Sequence, residues 1–233
     1  MQAKKIFKEY DGKIIVEHET KKEKTILKID YDIKLPSYLP LQKRHKNYLE
    51  QRNFNPIQLQ QDWNLTSTNH IGEYKFRIIA PIYFQEHIVS YQGRDVTGKS
   101  LLKYKACPQT EELIHHKHVL YGAEKAIQDR IIVTEGITDV WRMGFGSVAT
   151  FGVKYTKQQF KRICSYKTIF ILFDHDRLPS GENPGKEASE RLWCELTLLG
   201  KDAHEIILDK GDPADLSDKE AKQLKKDLLK EIY

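Results

Sequence analysis

The run TIFILF at residues 168–173 constrains this chain most, because six successive apolar or β-branched residues leave no polar face for water. A strand of that kind is buried on both sides, as in a parallel sheet covered by helices on both faces. The flanking segments agree. IIVT (131–134) is a short apolar strand ending in Glu135-Gly136, followed by a short helix through Val140 and Met143 and then by SVAT (147–150). Thr156 is a good N-cap for the helix KQQFKRIC. KEASERLWCELTLLG is an amphipathic helix that stops at Gly200, and AHEIIL is a further strand. Ser217 and Glu220 form a capping box for SDKEAKQLKKDLLKEI. This alternation predicts an α/β fold, a mainly parallel sheet flanked by helices, over residues 129–233.

Upstream the pattern differs. KIIVEHE and KTILKIDY alternate in polarity around the charged break TKKEK, which predicts a β-hairpin or extended arm. Lys21, Lys22 and Lys24 there suit a solvated turn or a nucleic-acid contact. LPSYLPLQ (35–42) reads as a linker, KRHKNYLEQRNF as a helix, and Pro56 opens a second helix, IQLQQDW. KFRIIAPIYF, HIVSYQGRDV and LLKYKACP are short β segments. The expected organisation is an arm and linker over 1–40, a mixed α+β basic subdomain over 41–128, and the α/β domain over 129–233.

Charge divides along the same line. Residues 1–128 carry 21 Lys+Arg and 15 Asp+Glu, a balance of +6, and residues 129–233 carry 17 and 18, a balance of −1. A basic half beside an acidic one suits a polyanion surface next to a cation site. No apolar run approaches the ~18 residues of a membrane span, and the N-terminus has no apolar signal region. Cys107, Cys164 and Cys194 form no Cys-x-x-Cys pair, so each is expected to be a small buried hydrophobe in a reducing cytoplasm.

Ligands of open parallel sheets sit beyond the carboxyl ends of the strands. Glu135 directly follows IIVT, Asp174 and Asp176 follow TIFILF, and Asp212 and Asp215 follow EIILDKG. Residues two apart on extended chain point the same way, so Asp174 and Asp176 can face one ion. Such a set offers hard oxygen donors for Mg²⁺ or Mn²⁺, and the mutual repulsion of the carboxylates calls for a cation. Glu135 can also serve in proton transfer. Asp139 fits either this group or the first turn of its helix.

The strings Glu135-Gly136-Ile137-Thr138-Asp139, VATFGVKYTKQQ, ILFDHD and GDPADL resemble the Toprim domain of bacterial DnaG-type and phage primases. YLEQRNF, FRIIAPI, VSYQGRDVTG, LLKYKACPQT and HVLYGAEKAI resemble, in order, blocks of the basic subdomain that precedes it, so the resemblance covers about residues 45–216. It implies an RNA-polymerase core that makes short primers from ribonucleoside triphosphates on a single-stranded DNA template. Glu135, Asp174, Asp176 and Asp212 match the metal ligands. Lys103 and Tyr104 match a pair that contacts nucleotide or template, and Arg77 and Arg94 match basic residues of the nucleic-acid groove. Gly93 and Gly136 are expected at tight turns.

This chain departs from that pattern in four places. It has no zinc ribbon and no Gly-x-x-x-x-Gly-Lys-Ser/Thr loop, which implies a separate zinc-ribbon protein and a replicative helicase as partners, as in a compact phage or mobile-element protein in a bacterial cytoplasm. LPSGENP intervenes after Asp176, so Gly185 comes nine residues after it. His175 lies between the two aspartates and is expected to point away from the ion. Asp212-Pro213-Ala214-Asp215 stands where an Asp-Pro-Asp is usual, with Asp215 as the candidate replacement. The rival readings are a Toprim-type DNA nuclease and a non-catalytic accessory that binds single-stranded DNA.

Overall fold

The computed structural model describes residues 4–10, 13–19, 31–127, 129–175, 180–208 and 211–229, and the chain divides into two units, residues 1–30 and 31–233. The first unit contains an antiparallel pair, β1 (Lys4–Tyr10) and β2 (Lys13–Glu19), with Tyr10 opposite Lys13. The described hairpin joins KIIVEHE to the segment before it. Asp11-Gly12, a strong two-residue hairpin signal, lies between these strands. Lys21, Lys22, Lys24 and most of KTILKIDY lie outside the described residues.

The second unit opens with two short helices, α1 (Lys43–Gln51) and α2 (Pro56–Trp63). Asn55 caps α2, its side chain accepting from the N–H groups of Ile57 and Gln58 at 3.1 Å each, and Pro56 occupies the first helical position. Strands β3 (Thr66–Ser67), β4 (Arg77–Phe84), β5 (His87–Asp95) and β6 (Tyr104–Ala106) form an antiparallel sheet in that order. One face packs Ile79, Tyr91, Tyr74 and Cys107 against Ile33 and Leu35. Gly93 is not a turn residue. It lies within β5, and a Cβ there would come within 3.0 Å of both Arg77 Cδ and Tyr74 Cδ1, so its function is to make room for them.

The remainder alternates strongly: β7 (Arg130–Thr134), α3 (Ile137–Met143), β8 (Ser147–Ala149), α4 (Lys157–Ile163), β9 (Thr168–Ile171), α5 (Pro184–Leu198), β10 (Asp202–Glu205) and α6 (Asp218–Leu229). The four strands are parallel in the order β10-β9-β7-β8. Alternate residues of the two central strands feed opposite faces. Ile131, Val133, Ile169 and Ile171 pack with Ile163, Leu192 and Leu196, while Ile132, Phe170 and Leu172 pack with Met143, Ala221 and Leu229. This two-sided burial is the physical basis of the unbroken apolar run. Thr156 and Gln159 close a reciprocal capping box on α4, and Ser217 with Glu220 does the same for α6. Cys107 is buried and Cys164 half-buried, but Cys194 is exposed on α5, contrary to expectation, because it falls on the face of that helix turned from the sheet.

Candidate metal and nucleotide site

Glu135 is the first residue beyond β7, and Asp174 lies three residues beyond β9. The parallel pairing continues past the strand ends. The Leu172 N–H donates to the Val133 carbonyl at 2.8 Å, and the Asp174 N–H donates to Glu135 Oε1 at 3.1 Å. The backbone of one acidic residue thus orients the carboxylate of the other. The first turn of α5 packs directly on both. A Cβ at Gly185 would stand 1.7 Å from the Asp174 carbonyl oxygen and 2.7 Å from Glu135 Oε1, so no larger residue fits without displacement. The glycine beyond the LPSGENP insertion therefore sits against the acidic pair despite its displaced spacing.

Asp212 accepts from the Ala214 N–H and so caps the short 3₁₀ turn Pro213–Asp215. That turn is held from below by Arg142 of α3, whose Nε donates to the Ala214 carbonyl at 3.2 Å. Arg142 is itself buried. Its other donors reach the Asn53 and Arg52 carbonyls and the Asp218 carboxylate, which joins α1, α3 and α6 around the turn. Asp139, in the first turn of α3, fulfils both readings open to it: Oδ2 accepts from the Gly136 N–H at 2.7 Å, and the buried carboxyl faces Asp212.

A cavity of about 250 Å³ joins these groups, lined by Glu135, Asp139, Asp174 and Asp212 and by Lys103 and Tyr104. Gln92, Gly136, Thr138, Phe151 and Gly152 complete the lining. Burial pushes the Glu135 carboxyl up to about 7; the charges of Asp174 and Asp212 add to this, and the Asp174 N–H opposes it. Asp139 is held well above the ordinary carboxylate range by burial and by Asp212. Lys103 lies below the ordinary lysine range through burial and the nearby Arg94 and Arg52, against the pull of Asp212 and Asp139. Crowded carboxylates that resist ionisation are the state a divalent cation relieves, and the donors are all hard oxygens. The residues present fit Mg²⁺ or Mn²⁺.

The other expected site residues separate into groups. Asp176 lies outside the described residues. Asp215 is not among the cavity's lining residues; its carboxylate is largely exposed and pairs with Arg52 at 3.3 Å. Arg77 is buried inside the antiparallel sheet, donating to the Gly93 and Leu102 carbonyls at 3.0 and 2.9 Å and to Ser100 Oγ at 2.8 Å. Arg94 is buried too. Its Nε donates to Tyr48 Oη at 2.8 Å and its guanidinium lies 4.6 Å over the Tyr104 ring. Tyr104 shares a 2.9 Å hydrogen bond with Thr138, so its phenol is fixed to the first turn of α3. His175 faces Glu205, with Nε2 3.8 Å from Oε1.

Sequence reasoning missed Arg142, the proximity role of Gly185 and a second concavity. That cleft, of about 610 Å³, is lined by Arg44, Lys75, Phe76, Lys99 and the expected groove residue Arg77, together with the acidic Glu73 and Asp95. Arg44 lies 4.3 Å over the Phe76 ring, and Phe76 takes a left-handed φ of 55°. The signals in sequence were the basic balance of the first half and Arg77, expected in a nucleic-acid groove.

No protein-family model matches the chain, and no curated protein does. Solved structures do match. The zinc-binding and RNA-polymerase domains of the Aquifex aeolicus primase align with a TM-score of 0.61 and 18% identity, covering 80% of this chain and 56% of that one. A DnaG primase catalytic domain bound to single-stranded DNA aligns at 0.61 and 19%, covering 81% and 71%. The RNA-polymerase domain of Mycobacterium tuberculosis DnaG aligns at 0.62 and 17%, covering 82% and 77%. The chain thus has the fold of the DnaG primase catalytic core, a Toprim-like parallel sheet preceded by an antiparallel-sheet subdomain, and spans just over half the length of the Aquifex protein.

Proposed function

We propose that this chain is a primase-type polymerase core, which joins ribonucleoside triphosphates on single-stranded DNA. The observation that carries this reading is the convergence of Glu135, Asp174 and Asp212 with Lys103 in one cavity, within a fold shared with primase RNA-polymerase domains. Glu135, Asp174, Asp212 and Asp176 would hold Mg²⁺ or Mn²⁺, which supplies charge stabilisation to the attacking 3′-oxygen and the departing pyrophosphate. Lys103 lines the same cavity and would neutralise a triphosphate. Arg94, stacked on Tyr104 and fixed by Tyr48, positions that wall rather than reaching out to bases. Glu135 is also the carboxylate placed to take part in proton transfer from the primer hydroxyl. Gly185 keeps α5 close enough to shield the acidic pair from bulk water.

Single-stranded DNA follows the basic cleft of the antiparallel sheet, where Arg44, Lys75 and Lys99 meet phosphates and Phe76 offers a stacking face. A zinc-ribbon protein and a replicative helicase in a bacterial cytoplasm, phage-encoded or not, complete the reading. Among the described residues no helix is long and apolar enough to cross a membrane.

The test is incorporation of labelled ribonucleotides on single-stranded DNA with Mg²⁺ or Mn²⁺, with and without candidate partners. Template-dependent short RNA from the wild type, absent with Asp174→Ala, supports the reading. Nicking of plasmid DNA without incorporation would replace it with a nuclease.

A further inference from the structure

Between β6 and β7, far along the chain from the acidic strand ends, Glu112, His115 and His116 are grouped as a donor set. One ligand atom from each lies within 4.8 Å of the other two. The chain turns on either side of them: the Glu111 and Glu112 N–H groups donate to the Pro108 carbonyl, a 3₁₀ turn spans His116–His118, and between the two turns the Leu113 N–H donates to the Val89 carbonyl at 2.9 Å, tying the segment to β5.

Glu112 is the informative member. Its side chain is 1% exposed. Oε1 is well used, accepting from Ser90 Oγ at 2.6 Å and the His116 N–H at 3.1 Å, and lying 2.7 Å from His116 Nδ1. Oε2 is equally buried, yet it has no hydrogen-bond partner. It lies 3.9 Å from His115 Nε2. A buried carboxylate oxygen without a donor is a standing penalty to the fold, and buried charges are normally paired or bound to a metal. The two rings stack with centroids 4.5 Å apart, and one ring nitrogen of each lies within 4.8 Å of the other and of the Glu112 carboxylate.

We infer that Glu112, His115 and His116 bind a divalent transition ion of the zinc type, with Glu112 Oε2, His115 Nε2 and His116 Nδ1 as ligands. Two imidazoles and a carboxylate are borderline donors that favour Zn²⁺ over Mg²⁺, which distinguishes this site from the all-oxygen cavity. Bond lengths near 2.1 Å put tetrahedral ligands about 3.4 Å apart, so the 3.9 Å gap closes by roughly half an ångström. His116 moves its proton from Nδ1 to Nε2. His115 carries its proton on Nδ1, giving up the Lys117 N–H that approaches there, and Gln109 leaves Nε2. A water takes the fourth position.

The site has a structural consequence. The His116 ring meets the edge of Phe151 at 5.4 Å, and Lys117 Nζ donates to the Thr150, Phe151 and Lys154 carbonyls at 2.9, 2.9 and 2.8 Å. Phe151 lines the acidic cavity and holds a left-handed φ of 61°. An ion at His116 therefore staples the β5 edge, through Ser90, to the loop that forms the cavity rim. This inference does not depend on the chain making primers.

Chelator-treated full-length chain, held in excess Mg²⁺ to fill the oxygen site, is titrated with Co²⁺ and followed by visible absorption. One equivalent should give the intense band of four-coordinate Co²⁺, displaced by Zn²⁺, and Zn²⁺ should raise the melting temperature. Affinity should fall by ~10- to 100-fold or more in His115→Ala and in the isosteric Glu112→Gln, and stay unchanged in Asp174→Asn. Absence of the band in the wild type overturns the inference. So does a band that survives in a folded His115→Ala or Glu112→Gln, or one that vanishes in Asp174→Asn.

Discussion

The acidic and basic residues singled out by the sequence take opposite positions in the two sheets of the 31–233 unit. At the carboxyl ends of β7 and β9, Glu135 and Asp174 are gathered at a cavity with Asp139 and Asp212. In the antiparallel sheet, Arg77 and Arg94 are drawn inward and bonded to carbonyls, to the Ser100 and Tyr48 hydroxyls and to aromatic rings. A parallel sheet has one end where every strand stops in the same sense, so side chains there converge without any choice by the rest of the fold. An antiparallel sheet has no such end. Its basic residues are structural or surface according to which face they fall on, and charge counting cannot separate the two.

The largest expected effects test the acidic side. Asp174→Ala or Glu135→Ala should reduce nucleotide incorporation by ~100-fold or more with little loss of stability, since removing a carboxylate relieves repulsion. Gly185→Ala should reduce both together, by about 1–3 kcal/mol in stability as well as activity, because the added Cβ collides with the Asp174 carbonyl. Denaturant melts beside the incorporation assay separate the two outcomes. If Gly185→Ala is silent, α5 does not abut the site.

Next in size is the arginine side. Arg77→Ala should destabilise by about 2–4 kcal/mol, since it strands the Gly93 and Leu102 carbonyls; although Arg77 also lines the cleft, its terminal nitrogens are already engaged, so DNA affinity should change less than stability at temperatures where it is folded. Lys75→Ala, on the open cleft, should do the reverse: stability within ~0.5 kcal/mol, and single-stranded DNA binding weakened a few-fold with a shallower salt dependence. Equal loss of DNA affinity in both would erase the contrast.

A subtler prediction concerns pH. Glu135 is raised from 4.5 to about 7, so its contribution to stability is full below 4.5 and is lost as pH rises through 7. Metal-free protein should therefore lose on the order of 2 kcal/mol over that window, and Mg²⁺ should remove most of the loss. Glu135→Gln should flatten the profile.

Much of this was legible in the chain. TIFILF and IIVT announced central strands, and Thr156 and Ser217 announced helix starts, because local chemistry alone decides those features. The placement of Glu135 and Asp174 beyond β7 and β9 was legible because strand ends are, whereas Asp212 lies seven residues past β10 and reaches the cavity through the 3₁₀ turn it caps. Asp215 was not, since its direction depends on the Arg52 pairing across 163 positions of sequence. Nor was Gly93: a glycine suggests a turn, whereas this one makes space for Arg77. Arg142 carried no signal, because its four partners lie on segments brought together only by the finished fold.

The central claim is that Glu135 and Asp174 form a divalent-cation site. Mn²⁺ titration followed by electron paramagnetic resonance tests it directly, with Asp174→Asn and Asp215→Asn as paired variants of equal charge change. The account predicts that Asp174→Asn weakens Mn²⁺ binding by ~10-fold or more while Asp215→Asn leaves it as in the wild type. Undiminished binding in a folded Asp174→Asn would contradict it.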